Sequence, residues 1–186
     1  AARVQPEKEK APAHDALTRL LERLEPSAEK LFEEVEALIN KAEGILVVDD
    51  STLDKPYAKK INLVSHHWSG KHHRVVKGIN LVSMVWTNGD LTLPCDYEVY
   101  DKEEGLTKND LFSKMLQVAY DRGFSPECIG FDSWYSSLDN LKRVRNFGWI
   151  WLTRLVANRQ VNPDRTGNRA LSEVDIGESG TEVHLK

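Results

Sequence analysis

Gly44-Ile45-Leu46-Val47-Val48-Asp49-Asp50 is the stretch on which the reading of the fold turns. Four apolar residues in a row, bounded by a glycine and two acids, are too few for a helix and match a short buried strand. The strand ends in polar residues, because Asp49 and Asp50 lead into Ser51 and Thr52. A bare carboxylate at the end of a central strand is costly unless it is paired or ligates a cation. The two acids therefore either close a turn with Ser51 and Thr52 or belong to a polar site.

Before this strand the period is helical. Leu17, Leu20, Leu21 and Leu24 follow Asp15, a candidate N-cap. Leu31, Val35, Leu38, Ile39 and Ala42 form a second apolar stripe that opens near Pro26 and stops at Gly44. After the strand, residues 61–100 fit two or three more strands, with Asn88-Gly89 as a hairpin turn. Thr107 and Asp110 have the spacing of a capping box for a helix through Leu111, Met115, Val118 and Ala119, stopping at Gly123. Residues 127–131 read as a strand with Asp132 just beyond it. Ser136 and Asp139 cap a helix carrying Leu138, Leu141 and Val144, and residues 149–155 read as another strand. Strands in a meander, then alternating with helices, predict an α/β fold with a mixed sheet flanked by helices. That is the element order of ribonuclease-H-like nucleases.

The 186 residues are 40% hydrophobic and 29% charged, which places them with globular chains of about one domain. No apolar run is long enough for a bilayer, and no secretory leader opens the sequence. The two cysteines, Cys95 and Cys128, make neither a disulfide scaffold nor a zinc spacing, so a cytoplasmic protein is expected. The net charge of −4 conceals a pattern. Residues 55–77 hold six bases and no acid, and residues 142–169 hold seven bases against Asp164 alone. These stretches either form one cationic face for a polyanion or point apart as solvated charge.

Asp50 and Asp132 are the candidate catalytic and metal-binding pair. In a two-metal phosphoryl-transfer site, carboxylates from separate strands hold ions about 3.5–4 Å apart. Carboxylate oxygens suit hard Mg²⁺ or Mn²⁺. The alternative is that each acid caps a local turn. His66, His67, His72 and His73 resemble a metal cluster, but no Cys or acid completes a zinc set. A polar loop touching phosphate with Lys71 and Arg74 is the better reading. Trp134 and Tyr135 beside Asp132 either stack on bases or form a packed corner. The P-loop, GxGxxG, GxSxG and HExxH motifs are all absent from the sequence.

Several motifs in order, VVDDSTLDKPYAKKI, HHWSGKHHRVVKGINLV, the TKND run at Thr107 and GFDSWYSSLDNLK, resemble the DDE-type transposases of bacterial and archaeal insertion sequences. The likeness is greatest to insertion-sequence families four and seven-hundred-one. It implies that Asp50, before its Ser/Thr pair, and Asp132 in FDSW are the first two catalytic acids, 82 residues apart. It also implies a Mg²⁺ or Mn²⁺ cofactor and double-stranded DNA, both transposon ends and target, as partner. Lys71, Arg74, Lys142, Arg143, Arg145, Arg154 and Arg159 would contact that DNA. A homo-oligomer or a full-length transposase is a further expected partner, a membrane is not, and the protein would be nucleoid-associated on DNA.

The family's third acid, a glutamate in a Tyr…Arg…Glu…Lys pattern, has no counterpart here. Glu173, Glu178 and Glu182 are not flanked correctly. The resemblance therefore implies a chain truncated before that acid. Its expected organisation is a loose leader (1–12), an N-terminal helical segment (13–43), a ribonuclease-H-like core (44–160) and the start of a β-rich insertion (161–186). Two functions follow: a catalytic fragment for metal-dependent DNA cleavage and strand transfer, inactive alone, or a non-catalytic remnant that binds DNA or a transposase.

Overall fold

The computed structural model describes residues 15–185. Two short helices, α1 (Ala16–Arg23) and α2 (Ala28–Val35), precede the sheet. Ser27 caps α2 by accepting from the N–H of Lys30, so Pro26 lies just before the helix rather than in its first turn, and the second helix ends in a 3₁₀ turn at Glu36–Leu38 well before Gly44. Asp15 makes no side-chain cap and instead pairs with Arg19. The stripe on α1 is not buried among the described residues, since Leu20, Leu21 and Leu24 are all more than half exposed.

The chain then forms β1 (Ile45–Asp54), β2 (Ser65–Ser69), β3 (Arg74–Thr87) and β4 (Thr92–Tyr100). After these come α3 (Lys108–Asp121), β5 (Cys128–Phe131), α4 (Leu138–Asn146) and β6 (Trp151–Thr153). β3 is long enough to serve three partners. Its first residues, Arg74–Gly78, pair with β2, while Gly78–Thr87 pair antiparallel with β1 and Asn80–Thr87 with β4. β5 lies parallel to β1, and β6 parallel to β5. The result is a mixed six-stranded sheet flanked by helices, the expected ribonuclease-H-like arrangement. Pro94, which cannot donate to a ladder, sits in β4, a strand that among the described residues pairs with β3 alone.

Alternation fixes the core. Leu46 and Val48 of β1 and Val82, Met84 and Trp86 of β3 all turn to one face, where Leu111, Phe112, Met115 and Leu116 of α3 and Leu141 and Val144 of α4 meet them. Gly44 is held at φ +77°, and a Cβ there would lie 2.7 Å from the Trp86 indole nitrogen, so the turn into β1 needs glycine. The capping box at Thr107 is present, with reciprocal hydrogen bonds to Asp110. The cap of α4 is Ser137, one residue later than Ser136. Beyond β6, β7 (Gln160–Asn162), β8 (Arg169–Ala170) and β9 (His184–Leu185) form a separate small antiparallel sheet. No helix among the described residues is long and apolar enough to cross a membrane.

Candidate active site

The first strand does not stop at its acids. β1 continues to Asp54, so Asp49 and Asp50 lie in mid-strand and no turn forms with Ser51 and Thr52. The two acids consequently face opposite ways. Asp50 continues the inward series Leu46, Val48, and is the point at which the buried face becomes charged; Asp49 lies on the exposed face.

Three neutral or cationic groups from other elements converge on Asp50. Lys108, the first residue of α3, donates from Nζ to Oδ2 at 2.7 Å. Asn80 of β3 donates from Nδ2 to the same oxygen at 2.8 Å. Tyr135, fully buried in a 3₁₀ turn and stacked on Phe112, brings its hydroxyl 3.4 Å from Oδ1. Burial alone would raise the Asp50 carboxyl, but the hydrogen bonds from Lys108 and Asn80 and the charge of Lys108 outweigh it and hold the carboxyl below its usual range. Burial and the nearby carboxylates push the Tyr135 hydroxyl well up, so it stays a donor.

Asp132 follows Phe131, the β5 residue in register with Val48, so Asp49 and Asp132 leave the paired segment side by side. Its Oδ1 accepts from the N–H of Trp134 at 2.9 Å and from the Ser133 hydroxyl at 2.8 Å. The turn-capping role expected of Asp132 is therefore present. Burial, then the charges of Asp50 and Asp132, raise the Asp49 carboxyl, although its Oδ1 accepts from the N–H of Asp50.

These groups open onto one cleft of about 990 Å³, lined by Asp49, Asp50 and Asp132 together with Lys108, Lys71 and the tryptophans Trp68 and Trp134. Trp68 and Trp134 are both about two-thirds exposed, so Trp134 is not a packed corner, whereas Tyr135 is. The histidines do not gather. His66 and His67 alternate on β2, His67 is buried beside Ser65 and Tyr100, and His72 pairs with Asp54 at 2.7 Å. Burial, then the charges of Lys102 and Lys108, hold the His67 imidazole below its ordinary range.

Of the cationic candidates, only Lys71 lines the acid cleft. Arg74 borders a smaller hollow of about 230 Å³ with His72 and Asp54. Lys142, Arg143 and Arg145 are exposed on α4, with Arg143 reaching Gln117 of α3. Arg154 is exposed two residues before Val156, which lines the cleft. Arg159 is half-buried, with Nε and Nη2 lacking hydrogen-bond partners. Sequence reasoning missed Lys108 and Asn80. Asn80 had a visible signal, since it is the one polar residue in the inward series Asn80, Val82, Met84, Trp86.

Among the described residues no group of three or more His, Cys, Asp or Glu side chains is placed to hold a metal ion by itself. The donor set nevertheless fits Mg²⁺, which is usually held by one or two carboxylates while waters and substrate phosphates complete its shell. Asp50 already holds one cation, the Lys108 ammonium. Glu173, Glu178 and Glu182 are exposed, and among the described residues no glutamate lines the cleft.

A family model described as DDE superfamily endonuclease matches residues 1–172. Among solved structures, the chain is similar to the piggyBac transposase of a cryo-EM synaptic complex with hairpin DNA. The likeness is 13% identity over 80% of this chain and 31% of that one, with a TM-score of 0.44. The chain therefore spans about a third of that transposase's length. No curated protein matches the chain.

Proposed function

This chain belongs to the DDE superfamily of endonucleases, and from that premise we propose that it is the acid-bearing core of a transposase acting on insertion-sequence DNA. The reaction is metal-dependent cleavage of the element's ends followed by strand transfer to target DNA. Asp50 and Asp132 would hold Mg²⁺ or Mn²⁺, which supplies an activated attacking oxygen and neutralises the charge on the transferring phosphate. The observation that supports the reading is that Asp50 of β1 and Asp132, which follows the adjacent parallel strand β5, both line one open cleft.

The chain's own residues have distinct tasks in this scheme. Asn80 and Tyr135 orient Asp50, each donating to it from a buried position. The N–H of Trp134 and the Ser133 hydroxyl fix one oxygen of Asp132, and the other would be the one offered to the ion. Lys71, which lines the cleft, would contact a backbone phosphate of DNA entering it, and Arg154, two residues before the cleft-lining Val156, would offer a further contact. Lys142, Arg143 and Arg145 offer a second line of contacts along α4.

A second reading, binding DNA without cutting it, is favoured by one feature: among the described residues no glutamate lines the cleft. Losing one electrostatic stabiliser commonly costs on the order of 10²–10³ in rate. The test incubates end-labelled duplex DNA with the 186-residue chain and Mn²⁺, beside Asp50→Ala and Asp132→Ala. Expected is Mn²⁺-dependent retention of the duplex that both variants lose, with little cleavage. Retention indifferent to both acids and to the ion overturns the site. Robust cleavage that both substitutions abolish overturns the binding-only reading and calls for an acid such as Glu173, Glu178 or Glu182, or one from a second subunit.

A further inference from the structure

Lys108 lies in an unusual place for a cation. It is the first residue of α3, next to the positive end of the helix macrodipole, which disfavours an ammonium there. It is also largely covered, with side-chain exposures of 18% for Lys108 and 22% for Asp50. The helix does not depend on it, because Thr107 and Asp110 cap that end reciprocally. What holds the ammonium is Oδ2 of Asp50 at 2.7 Å, with the face of Tyr100 5.9 Å away.

We propose that Lys108 is a place-holder for a divalent cation on Asp50, and that ion binding transfers its ammonium to a backbone phosphate of DNA in the same cleft. The inference rests on the metal-dependent reading above and deepens it. The cleft brings together Asp49, Asp50 and Asp132 against Lys108 and Lys71, so it carries an excess of negative charge. A divalent ion on Asp50 meets the Lys108 ammonium at the same oxygen, and two positive charges at that spacing repel strongly. The four-carbon stem lets the ammonium swing away while the capped helix stays in place. The volume it swings into is the open cleft, where a phosphate that bridges to the ion would lie. One lysine would thus keep Asp50 ionised and oriented before the ion arrives, and contact substrate afterwards.

The experiment titrates Mn²⁺ by the electron-spin-resonance signal of the free ion. It compares the unaltered chain with Lys108→Met, Lys108→Gln and Asp50→Asn. Lys108→Gln retains a donor to Asp50 and guards against a packing defect in Lys108→Met. Removing the competing charge should tighten Mn²⁺ binding by about tenfold in both Lys108 variants, and Asp50→Asn should abolish it. Labelled duplex DNA is then titrated by anisotropy in Mn²⁺ and in EDTA. Lys108→Gln should weaken duplex binding several-fold more in Mn²⁺ than in EDTA, where the lost ammonium only offsets the charge of Asp50. If Asp50→Asn abolishes Mn²⁺ binding while neither Lys108 variant tightens it, the place-holder is overturned and the metal site stands. Equal weakening of duplex binding with and without Mn²⁺ overturns the transfer of the ammonium. No Asp50-dependent Mn²⁺ binding in any chain overturns this inference and the metal-dependent reading together.

Discussion

Asn80 reaches diagonally across the β1–β3 ladder to Asp50: its register partner is Thr52, yet its Nδ2 lies 2.8 Å from Oδ2 of Asp50. Its own Oδ1 is buried without a partner. A buried polar group half-satisfied in this way is retained for what its satisfied half does. Here that is to aim Asp50 and keep it ionised. Asn80→Ala should destabilise the chain by about 1–3 kcal/mol, the usual cost of leaving a buried polar group without its partner. It should also raise the Asp50 carboxyl. Asn80→Asp should raise one carboxyl of the pair much further, because two carboxylates in contact cannot both ionise cheaply. Urea denaturation and carboxyl-carbon NMR titration read the two effects; an unmoved Asp50 titration in both variants would remove Asn80 from the site.

The lowered Asp50 carboxyl makes a signed prediction for stability. Its folded pKa lies below its unfolded one, so ionised Asp50 contributes stability above the unfolded value of about 3.9. That contribution is lost as pH falls through the folded pKa. The stability advantage of the unaltered chain over Asp50→Asn should therefore be largest near neutrality and shrink below about pH 4. Denaturation midpoints of both chains across this range provide the check. An advantage independent of pH would mean that Lys108 and Asn80 do not bind the ionised form preferentially.

Gly78 is where β3 passes from one partner to the next, since it is in register with both Ser65 of β2 and Asp54 of β1. A Cβ built there would lie 2.4 Å from the carbonyl oxygen of Leu53 and 2.9 Å from Cγ2 of Thr52. The backbone oxygen cannot rotate away as a flexible side chain would. Gly78→Ala should cost about 1–3 kcal/mol by overpacking and shift β1 beside Asp50. Full stability with an unchanged Asp50 titration would show that the ladder yields there at no cost.

The sheet and its acids were legible because they depend on local pattern. Ile45–Val48 and residues 127–131 read as strands, and each carries its acid at the point where apolar residues give out. The length of β1 was not legible, because Asp49 to Thr52 interrupt the apolar run with four polar residues, although exposed Asp49 and Ser51 still alternate with half-buried Asp50 and Thr52. Polar residues do not end this strand: Asp49 and Ser51 mark its exposed face, and Asp50 marks where its inward face becomes charged. The stripe of Leu20, Leu21 and Leu24 misled in the opposite way: helical spacing predicts an amphipathic face but not whether anything covers it. Lys108 could be placed at the start of a helix from Thr107 and Asp110. That this helix start meets the middle of β1 is a tertiary fact, and no spacing along the chain encodes it.

The last prediction concerns the cleft mouth, where Lys71, Trp68 and Trp134 surround the acids. Lys71 is exposed in the turn between β2 and β3, and among the described residues it has no ion-pair partner within the chain. A lysine in that position that neutralises one phosphate releases about one condensed counterion. Lys71→Ala should therefore reduce the slope of log affinity against log salt by about one for duplex DNA. Trp68→Ala and Trp134→Ala should leave that slope alone, because an indole carries no charge. They should instead weaken binding to single-stranded DNA by about 1–3 kcal/mol each, the range for loss of a stacked base. Arg143→Ala, on α4 and outside the cleft lining, is the internal comparison. If it lowers the salt slope as much as Lys71→Ala does, DNA tracks along α4 as well as through the cleft. If neither does, the basic residues of both stretches are solvated charge, and the polyanion must be held by the acid-bound ion and the tryptophans alone.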